Sequence, residues 1–440
     1  MLYFFGGLWQ NGNCLPTAVT YPKGFLMIGD LDQLMDARQL DAILVQGKVS
    51  GNPPLIYMLG GVHLTHAIVI KQRGETPTLI VGPMDREAAA TVGFNTVLNT
   101  RYRYSELLRR HDGDSLAAGV AYYDAIFEDL GVSGRVGCYG YLDQGYAYTL
   151  LSALNASLVD VELMGEFKGD LFHTARATKD AAEVARIREV GRRTAAIVRD
   201  TVAFLQSREV DDGRALRKPD GSVLKVGDMH GEITHLIAEY GLEDPEGFIF
   251  ATGRSAGIPH SRGDLEAPMR LGEPIVFDIF PREIGGGYFF DLTRTFCLGY
   301  APSAMLELYK DVLDCLSTLK SAIEVGEETR SYQQMACSFF AARGHPTVAD
   351  DPSVQEGYVH GVAHGVGLDI HELPGFQDDP SNTMTLTPGH LFAIEPGLYY
   401  PDQGLGCRVE DVLWIDADGN THNLTDFPYD LVVPMKKRTV

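Results

Sequence analysis

IVFDIF (residues 275–280), PREIGGG (281–287) and YFFDLTRTF (288–296) read in succession as a strand, a glycine-rich turn and a second strand, the pattern of a β-hairpin. Each strand carries one acid, Asp278 or Asp291, with apolar neighbours on both sides. Two later strand-like runs repeat the anomaly: Glu395 interrupts LFAIEPGLYY (391–400), and Glu410 sits on the apolar side of RVEDVLWI (408–415). A lone ionised carboxylate in such surroundings costs several kcal/mol, so each acid needs a neutralising partner. Arg294 and Arg408 are the arginines within these runs. An Arg294–Asp291 ion pair and a surface Arg408–Glu410 pair are therefore the plain structural alternatives. Two divalent cations would balance all four carboxylates, and an oxygen-rich donor set suits Mn, Fe(II), Co or Zn. Between the second and third acids lies HGVAHGVGLDIHE (360–372), with His360, His364 and His371 among glycines that weigh against a helix. The combination points to a two-metal hydrolytic centre.

Composition narrows the alternatives. A chain of 440 residues is too long for one ordinary core, so two domains are expected. The net charge of −22 argues against binding nucleic acid through phosphates, and no phosphate-cradling glycine loop is present. No apolar stretch approaches the roughly 20 residues that span a bilayer, so no membrane association is expected. The start, MLYFFGGLWQ, is apolar, yet no Lys or Arg precedes Lys23. Residues 1–26 are read as an N-terminal tail, with Met27 an alternative start, rather than as an export signal. The six cysteines are scattered with no C-x-x-C pair, which fits small core residues in a reducing, cytoplasmic setting.

Residues 27–172 alternate helix and strand signals. The strands DAILVQG, HAIVIKQRG, TPTLIVGP and RVGCYGY are interleaved with helical segments, as in an α/β domain with a partly parallel sheet. His63 and His66 form an H-x-x-H pair with no acid or cysteine beside them, so a solvated role is expected. A long amphipathic helix spans about 179–206, and further helices are expected at 227–240, 302–326 and 329–343. Together with the acid-bearing strands they make residues 173–440 an α+β domain.

The order Asp, Asp, His, Glu, Glu, in VFDIF, FFDLTRTF, HGVAHGVGLDIHE, AIEPGLYY and CRVEDV, resembles the pita-bread metallopeptidases, and within them the Xaa-Pro branch of aminopeptidase P and prolidase. The motifs cover roughly residues 175–430, and the N-terminal third resembles the creatinase-type domain in order and size. The resemblance implies that Asp278 chelates one metal, Asp291 and Glu410 bridge both, and His364 and Glu395 complete the second. It implies a proton-relaying role for Glu395, substrate contacts for His260, His360 and His371, and an orienting role for Arg408. Two divalent ions, Mn first with Co, Zn or Fe as alternatives, a small peptide substrate and a homodimer are implied with it. Such ions lower the pKa of a shared water and polarise the scissile carbonyl. One departure stands out: twelve residues separate the two aspartates where the family usually has ten. The two extra residues keep side-chain parity and are expected to reshape the wall beside the metals.

Two rivals frame this expectation. The same fold supports enzymes that cleave other C–N bonds or act as lyases on small metabolites. It also supports inactive binding modules, which generally lose metal ligands that are all retained here.

Overall fold

The computed structural model describes residues 27–435; the tail 1–26, with Cys14, lies outside the described residues. The fold is α+β, an N-terminal α/β unit followed by a larger sheet-rich unit. In the first, six strands run in the order Asn95–Leu98, Thr78–Val81, His66–Gln72, Ala42–Lys48, Gly134–Tyr139, Val161–Met164. Ala42–Lys48 is antiparallel to His66–Gln72 on one side and parallel to Gly134–Tyr139 on the other, so the sheet is partly parallel. His63 and His66 are both exposed, in keeping with a solvated role.

The long helix Ala181–Gln206 begins with a complete capping box, in which Asp180 accepts from the Glu183 backbone and Glu183 returns to the Asp180 N–H. Its inner face is a stripe of Val184, Ile187, Val190, Ile197 and Val198, all buried. Gly191 lets this face approach the acid-bearing hairpin: a Cβ there would lie 2.4 Å from the Phe290 ring, one residue before Asp291. Any side chain at 191 would therefore push the helix off the strand that presents Asp291.

In the second unit, Pro274–Ile279 and Leu292–Leu298 pair antiparallel with Asp278 opposite Thr293 and Ile279 opposite Leu292. This register puts Asp278, Thr293 and, two residues before it, Asp291 on one face, since paired residues project to the same side and alternate residues repeat. Ile249–Thr252 and Val432–Val433 complete that sheet. A second sheet runs Glu372–Gly375, Ala363–Gly365, Leu391–Ile394, Asp411–Ile415, Thr421–Asn423. Gly397–Tyr400 and Leu405–Arg408 form a separate hairpin. Helices Ser303–Ser321 and Thr329–Ala341 pack on the second sheet through Val312, Leu316, Tyr332, Phe340, Phe392 and Leu413.

The Asp278–Asp291 turn, besides standing next to the cavity that holds the two aspartates, reaches the N-terminal unit. A Cβ on Gly286 would lie 3.0 Å from Ile56 Cδ1 and 3.1 Å from the Gly51 nitrogen. Arg186 of the long helix grips Glu283 in the same turn with two bonds, of 2.5 and 3.1 Å. Phe280, in the same turn, lines the cavity, so the turn meets two surfaces.

Candidate metal centre

Asp278 is the last but one residue of its strand, and Asp291 immediately precedes the next. His364 lies within Ala363–Gly365, Glu395 directly follows Leu391–Ile394, and Arg408 ends Leu405–Arg408. Glu410 falls in the break before Asp411–Ile415, so Arg408 and Glu410 do not share one continuous strand. All nine expected site residues, Asp278, Asp291, His260, His360, His364, His371, Glu395, Arg408 and Glu410, nevertheless line one cavity of about 120 Å³. Ile249, Pro259, Phe280 and Ile370 supply its apolar wall.

Both ion-pair alternatives fail. Arg294 bonds Asp411 at 2.9 Å and the Glu410 carbonyl at 2.6 Å, leaving Asp291 alone. Arg408 donates from Nη2 to Asp278 at 2.5 Å and from Nη1 to the Tyr399 hydroxyl at 2.6 Å. Its Nε lies 3.8 Å from Glu395. One guanidinium thus pairs with two of the four carboxylates. Asp278 Oδ1, Asp291 Oδ1 and Glu410 Oε1 are buried with no hydrogen-bond partner. Burial and neighbouring carboxylates push Asp291 and Glu395 well above the usual range, and Glu410 to about 8, with burial the larger cause in each.

The histidine tautomers sharpen the requirement. His364 Nδ1 lies 3.2 Å from the Gly365 carbonyl, which can only accept, so Nδ1 carries the proton and Nε2 presents a lone pair. That lone pair faces Asp291 at 3.7 Å, Glu395 at 3.7 Å and Glu410 at 3.8 Å. Burial, aided by His371, lowers His364 to about 3 and so disfavours a second proton. Four acceptors converging on one point with no donor among them are what a cation resolves. Donor atoms of Asp291, His364 and Glu410 lie within 4.8 Å of one another, close enough to share one ion.

His360 differs. Its Nδ1 lies 2.7 Å from the Gly361 carbonyl and its Nε2 2.9 Å from the Tyr399 hydroxyl. With Nδ1 the donor, Nε2 accepts from Tyr399, which in turn accepts from Arg408. A relay thus runs Arg408 to Tyr399 to His360, and burial, with Arg408 adding, lowers His360 to about 3. His260 and His371 are more exposed and stand at the cavity mouth.

Three supports escaped the sequence reading. Tyr399 links Arg408 to His360, and Thr293 donates to Glu410 at 2.7 Å. The third is a buried ion pair, Lys179 to Glu372 at 2.6 Å, each side chain 1 % exposed, which anchors the residue next to His371. Tyrosine and threonine are ordinary in strands, so nothing marks the first two; a Lys at a helix start likewise looks solvated.

Comparisons with known proteins bear on the fold and the family. The Xaa-Pro dipeptidase of Pyrococcus horikoshii is 23% identical over 391 residues, 88% of this chain and 93% of that protein. The protein named Probable dipeptidase PepE of Mycobacterium tuberculosis is 29% identical over 206 residues, 47% of this chain; the match spans about half of that relative, 51%. The prolidase structure from Pyrococcus horikoshii superposes with a TM-score of 0.68 at 19% identity, covering 92% of this chain and 99% of that one. The X-Pro aminopeptidase of Thermotoga maritima gives 0.69 at 17% identity, covering 91% and 99%. At such identities the superpositions establish the fold. The family model described as Metallopeptidase family M24 matches residues 185–417, more than half of the chain and the whole stretch that carries the acids and histidines, and the chain belongs to that family.

Proposed function

We propose that the protein is a two-metal hydrolase that cleaves Xaa-Pro peptide bonds in small peptides. The observation that carries this reading is the His364 Nε2 lone pair facing three carboxylate oxygens inside a cavity of about 120 Å³. The names of the relatives supply the substrate class. Asp278, Asp291, His364, Glu395 and Glu410 would hold the two ions. Five donors, four of them carboxylates, favour Mn, with Co, Zn or Fe as alternatives. When bound, the ions supply Lewis acidity and lower the pKa of an attacking water.

The chain's own groups do the rest. Arg408 fixes Asp278 through its 2.5 Å bond and restrains Glu395 at 3.8 Å, so two metal-facing carboxylates share one orienting cation. Glu395 is the less enclosed carboxylate, intermediate where Asp291 and Glu410 are buried, and it takes the proton released by the attacking water. His360, held by the Gly361 carbonyl and the Tyr399 hydroxyl, lines the cavity and positions the substrate beside the metal-facing carboxylates. Ile249, Phe280 and Ile370 line the cavity with apolar surface against which a proline ring would pack. His260 and His371, at the mouth, contact the rest of the peptide.

The division into units 27–172 and 173–440, preceded by the tail 1–26, belongs to the same reading. So does a cytoplasmic site, supported by five free thiols among the described residues. A homodimer rests on family resemblance. No helix among the described residues is long and apolar enough to cross a membrane.

The test is direct. Purified protein stripped with EDTA is reloaded with Mn, Co or Zn and offered Xaa-Pro dipeptides and Xaa-Pro-Yaa tripeptides. Metal-dependent cleavage of either set supports the reading, and dipeptide cleavage points to a prolidase type. A fully metallated protein that hydrolyses neither set, yet converts a non-peptide C–N substrate, overturns the peptidase assignment.

A further inference from the structure

A second cavity lies in the N-terminal unit, away from the metal ligands. It encloses about 1130 Å³ and is walled by Tyr104, Tyr122, Tyr123 and Tyr146, with Arg103 and Arg109 on one side. A smaller cavity of about 220 Å³ continues from it, sharing Ile68, Asn99 and three of the tyrosines. This extension reaches Gln46 and Gly47 at the end of Ala42–Lys48 and Leu142 just past Gly134–Tyr139. Those two strands are parallel neighbours, and the chain leaves the first toward one edge of the sheet while the second continues toward the other. Their carboxyl ends therefore open at a topological switch point, where open α/β sheets present ligand crevices.

The lining specifies a chemistry. Tyr122 meets Tyr102, Tyr104 and Tyr123 edge-on, with centroids 5.6–5.8 Å apart, which fixes the rings as a rigid aromatic wall. Tyr146, 55% exposed, offers its ring to the cleft. The adjoining segment RYRYSELLRR (101–110) carries four arginines against one glutamate, in a chain of net charge −22. Arg101 is committed to Asp129 and Arg110 to Glu106. Arg103 lies 3.6 Å from the already paired Glu106, and Arg109 donates to the Ser105 carbonyl at 3.3 Å. Two cationic groups thus border an aromatic cleft with less than one carboxylate between them. Arg103 also has φ of 46°, a left-handed conformation that a non-glycine residue adopts at some cost and that clusters at ligand sites.

We propose that this cleft binds a small molecule combining a planar ring with an anionic group: the ring against Tyr122 and Tyr146, the phosphate or carboxylate at Arg103 and Arg109. The site is separate from the metal centre and does not depend on the peptidase reading.

Calorimetric titration of the metal-loaded full chain with uridine monophosphate and with N-acetyl-tyrosine tests it and separates the two anion sources. Saturable binding of either is expected below about 1 mM. Arg103→Ala/Arg109→Ala and, separately, Tyr146→Ala should each raise Kd by roughly 10-fold or more, as loss of charged hydrogen bonds or of stacking does. Melting temperature and peptide turnover should stay unchanged, because these side chains lie at the surface of the other unit. Binding should also persist in Asp291→Asn. No saturable binding by either probe, wild-type affinity in the arginine or tyrosine variant, or loss of binding in Asp291→Asn would each overturn the proposal, the last by placing the ligand in the metal cavity.

Discussion

Replacing Asp291 with asparagine keeps the side chain's size and removes its charge. A neutral amide cannot bridge two cations, so the variant should hold fewer than two metals per chain and lose turnover. Elemental analysis decides it: two metals and normal activity would make Asp291 structural. His360→Ala should separate metal binding from catalysis, since both His360 nitrogens are engaged by Gly361 and Tyr399. Metal content should stay at the wild-type level while kcat/KM falls by roughly 10²-fold, as misplacing a substrate at the reacting centre does. Loss of metal in this variant would mean that the roles of His360 and His364 are exchanged. The acids themselves were legible in the sequence because a charge inside IVFDIF or AIEPGLYY contradicts its surroundings. Tyr399 and Thr293 contradict nothing, and their importance arises from register, which brings Thr293 opposite Asp278.

Helices and strands with strong periodicity were equally plain. The capping box at Asp180 and the apolar stripe beyond it announce the long helix, and it runs Ala181–Gln206. The helix Ser115–Leu130 was missed, because its alanines, glycine and paired tyrosines give a weak stripe. Nor does sequence show the joint between the lead into the long helix and the second sheet, where Thr178 forms an isolated bridge with His390 and Lys179 donates its N–H to the Gly389 carbonyl. His390 is buried there and accepts from the Thr387 N–H at 3.2 Å. Burial, with Lys179 adding, lowers its pKa to about 4. An unfolded histidine titrates near 6.5, so between those values the unfolded chain binds the extra proton. The stability this joint gains from a neutral His390 is complete above about pH 6.5 and is lost as pH falls toward 4, amounting to roughly 3 kcal/mol. A His390→Gln variant lacks that component. Denaturant titrations from pH 7 to 4 should therefore show the two proteins converging as acid is added; parallel curves would show that His390 charges freely in the folded state.

At the scale of the molecule, the long Asp278–Asp291 turn is where the two units depend on each other. Gly286 has φ of +96°, and a methyl group there would press on Ile56 and on the Gly51 backbone. Gly286→Ala should thus cost about 1–3 kcal/mol through backbone strain and contact, read as a lower melting temperature. An unchanged melting temperature would show that the turn can lift off its seat freely. Seated, the hairpin behaves as a beam clamped at both ends: one end is built into the catalytic sheet, and the other is pinned by Arg186 and the residues around Gly51. A beam held only at its root sways most at its tip, and Asp278 and Asp291 stand where the two strands leave the sheet toward that tip. Pinning the tip damps the sway, so the spacing of the two carboxylates is set partly by a domain that contributes no ligand of its own.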